Sequence, residues 1–231
     1  MIPLILLLYD IYKCIELNTF KSLNEEIYVE KNFSTYQIES FRMHLIKNGE
    51  NPKKIKLKVA IFGAGGVGKT TLTNRYLTGV FQEKYKTTIG MDFYVKKISF
   101  KGNPISLQIW DFAGEEKFRF LLPSALKGAH GTIFMYDITR YNTLQELNEW
   151  IRVFRETNKK EGQIVHAVLL GGKKDLEEYR AVPKEEGEAF SLEKGLLNFM
   201  ECSSKRGENV QEVFENLTKI IMRKKNILQS I

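Results

Sequence analysis

The stretch GAGGVGKT at 63–70 constrains this chain more than any other. It comes directly after the apolar run LKVAIF (57–62) and leads straight into TTLTNRYL (70–77), which reads as a helix. A strand, a turn of pattern G-x-x-x-x-G-K-[ST] and a helix together make a cradle for phosphate. Glycines let successive backbone N–H groups turn inward, the lysine adds a positive charge, and the helix N-terminus favours anions. Gly63, Ala64, Gly65, Gly66, Val67, Gly68 and Lys69 are therefore expected to surround phosphate oxygens, with the hydroxyl of Thr70 offered to Mg²⁺.

The runs C-terminal to the cradle set the fold class. MDFYVKKISF (91–100) and ISLQIW (105–110) flank the turn residues KGNP and read as a hairpin. TIFMYD (132–137) and IVHAVLLG (164–171) are continuous apolar runs, as expected of strands covered on both faces, and NFMECS (198–203) is a last short strand. Helical stretches lie between them at 142–156, 184–194 and 208–223. This alternation predicts an α/β fold: a mostly parallel six-stranded sheet with one antiparallel edge strand and helices on both faces. In such a sheet, Asp111 at the exit of ISLQIW lies at the carboxyl ends of the strands, where ligands bind. It can hold the metal through a water, or serve as the N-cap of a following helix.

Residues 1–55 stand apart. No Gly or Pro occurs from Leu4 to Asn48, the apolar spacing suits one or two helices, and NGENPKK (48–54) supplies a turn and a charged linker. This extension packs on the core, binds a partner, or is an over-predicted start of the reading frame. The domain proper is expected over 56–225, with 226–231 a tail. The length of 231 residues suits one domain with an appendage. The net charge of +7 comes from interspersed residues of both signs, which points to a solvated basic surface rather than a nucleic-acid interface. Cys14 and Cys202 are far apart, so neither a disulfide framework nor a zinc site is expected. The apolar start closes at Asp10 without a basic region before it or a cleavage site after it, so a cytoplasmic protein is expected. Ile2 excludes myristoylation and KNILQSI offers no cysteine to prenylate. Without a lipid anchor, membrane contact reduces to the basic end MRKKN (222–226), which is a solvated helix end or a weak peripheral contact.

Several motifs in register resemble those of the small GTPases of the Ras superfamily, nearest to the Rab branch, over about Lys56 to Lys225. These are GAGGVGKT, FQEKYKTTIGMDF (81–93), WDFAGEEKFR (110–119), KGAHGTIFMYDIT (127–139), GGKKD (171–175) and ECSSK (201–205). The missing C-terminal cysteine is similar to unprenylated Rab-like proteins of archaea. The resemblance implies a P-loop G domain that binds GTP or GDP with Mg²⁺ and hydrolyses GTP. Its two switch segments would report the γ-phosphate to effectors, exchange factors and GTPase-activating proteins. By the same resemblance Lys69 and Thr71 meet phosphates, Phe81 stacks near guanine, and Tyr85 closes over the phosphates. Thr70 and Thr88 hold Mg²⁺ with Asp111 behind them, and Gly114 donates its N–H to the γ-phosphate. Lys173, Asp175, Ser203, Ser204 and Lys205 surround the base. The catalytic set is then Lys69, Thr88, Gly114 and Glu115.

Three departures from the family pattern matter. Gly172 stands where the base-reading motif has Asn, which removes a brace to the phosphate loop and implies weaker affinity or faster exchange. Asp175 keeps the carboxylate that accepts from guanine N1 and N2, so guanine stays preferred over adenine by about 1–3 kcal/mol. Glu115 stands where the family has the Gln that orients the attacking water. A carboxylate beside the γ-phosphate opposes an anionic transition state, so slow hydrolysis is expected, and the alternative is a GTP-binding interaction module with negligible hydrolysis. In the partner-facing aromatic triad Phe93 and Trp110 match, while Leu126 stands where an aromatic is usual.

Overall fold

A computed structural model describes residues 55–83, 88–100, 103–115, 122–162 and 164–224. All of them fall in one unit, Pro52–Ile231. Tyr85, the tail at 226–231 and the expected helices of the extension lie outside the described residues.

Six strands form one sheet in the order β2-β3-β1-β4-β5-β6. They are β1 (Ile55–Phe62), β2 (Met91–Phe100), β3 (Asn103–Phe112), β4 (Gly131–Asp137), β5 (His166–Gly172) and β6 (Phe199–Glu201). β2 and β3 pair antiparallel and every other pair is parallel, as expected. β1 begins two residues before the apolar run because Ile55 pairs with Ile105, which carries the ladder back.

The helices are α1 (Lys69–Thr78), α2 (Leu122–Leu126), α3 (Tyr141–Gln145), α4 (Leu147–Glu161), α5 (Lys184–Glu193) and α6 (Val210–Lys224). The stretch expected as one helix over 142–156 is split at Glu146, whose backbone remains helical (φ −59°, ψ −24°). It also runs on to Glu161, where Gly162 in the left-handed region (φ 60°) closes it by donating its N–H to Asn158 and Lys159 carbonyls. Two short elements carry no periodicity long enough to read in advance: α2, and a 3₁₀ turn at Lys174–Tyr179.

Alternation along the strands divides the core. Leu57, Val59, Ile61, Ile133, Met135, Val168 and Leu170 face α1 and α6, and Ala60, Phe62, Phe134, Tyr136, Ala167 and Leu169 face α2 to α4. Both faces are covered, which is why these strands read as unbroken apolar runs. Tyr76 of α1 stacks on Phe214 of α6 with centroids 4.0 Å apart. That contact anchors α1, the helix that begins with Lys69 and Thr70.

Candidate functional site

The carboxyl ends of β1, β3, β4 and β5 open onto one cavity of about 520 Å³. That volume lies within the ordinary range for small-molecule sites. It is lined by Gly65, Gly66, Val67, Gly68, Lys69, Thr70, Thr71, Phe81, Thr88, Gly114, Glu115, Lys173, Asp175, Ser204 and Lys205, all expected from the sequence. Gly63, Ala64, Asp111 and Ser203 stand behind that wall and hold its residues through hydrogen bonds. Gln82, Glu83, Phe112, Ala113, Met135 and Leu176 also line it, and no site role was expected of them.

At the phosphate end the loop turns around Lys69. This lysine is buried, and its ammonium donates to the carbonyls of Gly63 and Ala64 at 2.8 Å each. Burial pushes its pKa down to about 8, with the charge of Asp111 working the other way. Thr70 donates its hydroxyl to Oδ2 of Asp111 at 2.5 Å and lies 2.8 Å from the hydroxyl of Thr88. The three residues expected to hold a metal thus converge from α1, β3 and the segment before β2. Asp111 is fully buried, and its Oδ1 has no hydrogen-bond partner among the described residues. Burial pushes its carboxyl up to about 6, against the Thr70 hydrogen bond and the Lys69 charge, with Asp92 adding a smaller push upward. Two hydroxyls and a buried carboxylate with a spare oxygen suit a hard, oxygen-seeking cation such as Mg²⁺, which keeps waters and takes few protein ligands.

Gly114 meets the loop from the other side. A Cβ there would stand 2.2 Å from the Ala64 carbonyl carbon and 2.3 Å from the Gly65 nitrogen. Only glycine fits, so the end of β3 is pressed against the phosphate loop itself. Glu115 comes immediately after it, half-buried in the cavity wall.

The opposite end is organised by a residue to which the sequence reading gave no site role. Asp137, at the end of β4, is fully buried. Its Oδ2 faces the Lys173 ammonium at 2.7 Å and accepts from Arg140 Nε at 2.9 Å. Its Oδ1 accepts from the backbone N–H and hydroxyl of Thr139 at 2.9 and 2.7 Å. Burial acts to raise its pKa, but these donors outweigh it and hold the carboxyl below the usual range. Arg140 also donates to the carbonyl of Gly65 at 3.0 Å. Lys173, Asp137, Arg140 and Gly65 therefore form a continuous polar link from the 171–175 loop to the phosphate loop. An aspartate closing an all-apolar strand was the available signal. Beside it, Asp175 accepts from the hydroxyl of Ser203 at 2.6 Å, which fixes one carboxylate oxygen and leaves the group at the cavity wall.

At position 172, where a brace to the phosphate loop was expected to be missing, another side chain stands close by. A Cβ at Gly172 would lie 2.4 Å from the terminal methyl of Met135, so that side chain occupies the space. Leu126, which stands where the partner-facing triad usually has an aromatic, is fully buried in the core. Phe93 is half-exposed and packs edge-on against Trp110 with centroids 5.3 Å apart, while Lys58 lies over the Trp110 ring at 4.0 Å.

A family model described as the Ras family matches residues 58–223. The chain is 35% identical over 178 residues to the Ras-related protein Rab-12 of Mus musculus, covering 77% of this chain and 72% of that protein. The same figures hold for the Ras-related protein Rab-12 of Rattus norvegicus and of Homo sapiens.

Proposed function

The chain belongs to the Ras family as a Rab-like GTP-binding GTPase, and from that premise we propose how its cavity is used. The phosphate loop, Lys69 and Thr71 hold the phosphates of GTP or GDP. Asp175 accepts from guanine N1 and N2, and the Ser204 backbone meets O6. Lys173 and Lys205 flank the base, Phe81 stacks near it, and Tyr85 closes over the phosphates. The hydroxyls of Thr70 and Thr88 would hold Mg²⁺, with Asp111 accepting from a water on it. When bound, the ion neutralises charge on the phosphate oxygens.

The observation that carries this reading is the meeting of Thr70, Thr88 and Asp111 beside Lys69 at one end of a cavity whose other end is Asp175. Thr88 precedes β2 and Gly114 lies just past β3, so both segments that would sense a γ-phosphate hang from the antiparallel edge of the sheet. Their ordering is what effectors and regulators would read.

Hydrolysis is slow in this reading because Glu115 brings a negative charge to the wall where the attacking water must be held. A partner that supplies a positive group would accelerate it. Single-turnover hydrolysis of bound GTP tests the proposal. Slow, measurable turnover that rises several-fold in Glu115→Gln is expected. Undetectable turnover in both proteins would leave a GTP-binding interaction module. ATP, rather than a guanine nucleotide, co-purifying with the chain would refute the role given to Asp175.

A further inference from the structure

Met135 touches the nucleotide-binding machinery at three points that come from three parts of the chain. It belongs to β4, is 1% exposed, and reaches the cavity wall. Its backbone carbonyl lies 2.0 Å from where a Cβ on Gly63 would stand. Its terminal methyl lies 3.5 Å from where a Cβ on Gly68 would stand and 2.4 Å from where one on Gly172 would stand. The first two glycines are in the phosphate loop and the third ends β5, at the base of the 171–175 loop. Gly172 is hemmed in further by the carbonyls of Val67 and Tyr136, at 3.1 and 3.3 Å from the same Cβ position. A larger residue at 172 therefore has backbone on two sides, and the thioether is the one neighbour able to move.

We propose that Met135 is a positioning residue that sets how tightly the cavity holds its nucleotide, acting as an apolar wedge between the phosphate loop and the base-reading loop, with Gly172 as the partner that makes room for it. This rests on the reading of the cavity as a guanine-nucleotide site. The physical argument is one of volume. Thioethers fill irregular gaps well, and a gap left between two loops lets each relax independently. Met135 keeps the phosphate loop and the 171–175 loop at a fixed spacing, so that the two ends of a bound nucleotide are gripped together. A polar side chain at 172 would do the same work only if the wedge were withdrawn. The two positions are thus alternatives for filling one space, and their substitutions do not act independently.

The test is release of a fluorescent GDP analogue from the full chain, chased with excess GDP. The proteins compared are the parent, Met135→Leu, Met135→Ala, Gly172→Asn and Met135→Ala/Gly172→Asn. Met135→Leu keeps the volume and stays within about twofold of the parent, while Met135→Ala releases the analogue about tenfold faster. Gly172→Asn alone also speeds release, because the wedge is driven out of place. The double variant releases more slowly than either single one, since Asn then fills the vacated space. Should Gly172→Asn fail to fold, Gly172→Ala and its double with Met135→Ala make the same comparison with a smaller intrusion.

Single-variant effects that multiply in the double would overturn the wedge, as would Met135→Ala releasing at the parent rate. Non-additivity confined to thermal unfolding of the nucleotide-free proteins, with release unchanged, would also overturn it, because Met135 would then be ordinary core. A parent chain that retains no guanine nucleotide would instead overturn the reading of the cavity itself, and the wedge with it.

Discussion

Asp111 and Asp137 close the two strands that flank β1, and both are fully buried. Burial works on the two carboxylates alike, yet their pKa values move in opposite directions. Asp111 meets one hydroxyl and a lysine committed to backbone carbonyls, and burial pushes it up to about 6. Asp137 is surrounded by Lys173, Arg140 and Thr139, which hold it below the usual range. One end of the cavity supplies its own cations, while the other presents oxygen atoms suited to a cation from outside. On the proposed reading, the contrast separates a permanent brace from a ligand site, although both are buried aspartates at strand ends.

The largest expected effect comes from closing the phosphate end. Gly114→Ala places a methyl against the Ala64 and Gly65 backbone, which cannot yield as a side-chain tip can. Overpacking of this kind should weaken GTP binding by about 100-fold, and GDP binding less, as read by titration calorimetry. Equal losses for both nucleotides would separate Gly114 from the γ-phosphate.

Breaking the permanent brace has a smaller effect. Asp137→Asn removes the negative charge that Lys173 and Arg140 share and loosens the link to Gly65. Both cations are partly exposed, so solvent screens the loss, and about tenfold faster GDP release is expected rather than unfolding. Release at the parent rate would show that the link is incidental.

The phosphate end was legible in the sequence, and the brace was not. Lys69, Thr70 and Asp111 stand out by residue type and spacing, because phosphate and metal chemistry demands specific groups at strand exits. Thr88, Gly114 and Asp175 were marked only by the resemblance to the Ras superfamily. Met135, Asp137 and Arg140 depend on how β4 and β5 align, with Asp137 opposite Gly172, and no local pattern encodes that register. TIFMYD read only as a buried strand, although which face each residue takes decides that Met135 reaches the cavity and Phe134 the opposite core. The sheet was readable from its apolar runs, whereas α2 and the 3₁₀ turn were too short to show a period. That Leu126 faces the core was not legible either, since its direction is set by the packing of a single helical turn.

A subtler expectation concerns pH in the absence of nucleotide. Asp137 is more acidic folded than unfolded, so it adds stability above the ordinary carboxylate range and loses it as pH falls through its folded value. Asp111 is less acidic folded, so it subtracts stability as pH rises from the ordinary value toward about 6. Denaturant unfolding at several pH values should show Asp111→Asn removing a decline toward neutrality and Asp137→Asn removing a rise. The same sign in both variants would erase the distinction between the two aspartates.

The most direct test of the metal assignment is the Mg²⁺ dependence of GDP release in the parent, Asp111→Asn and Asp137→Asn. Chelating Mg²⁺ should speed release from the parent by about tenfold or more. Asp111→Asn should lose most of that response. Asp137→Asn should keep it while releasing faster at every Mg²⁺ concentration. A parent chain whose GDP release ignores Mg²⁺, or an Asp111→Asn variant that responds as the parent does, would contradict the assignment of the buried carboxylate to the metal.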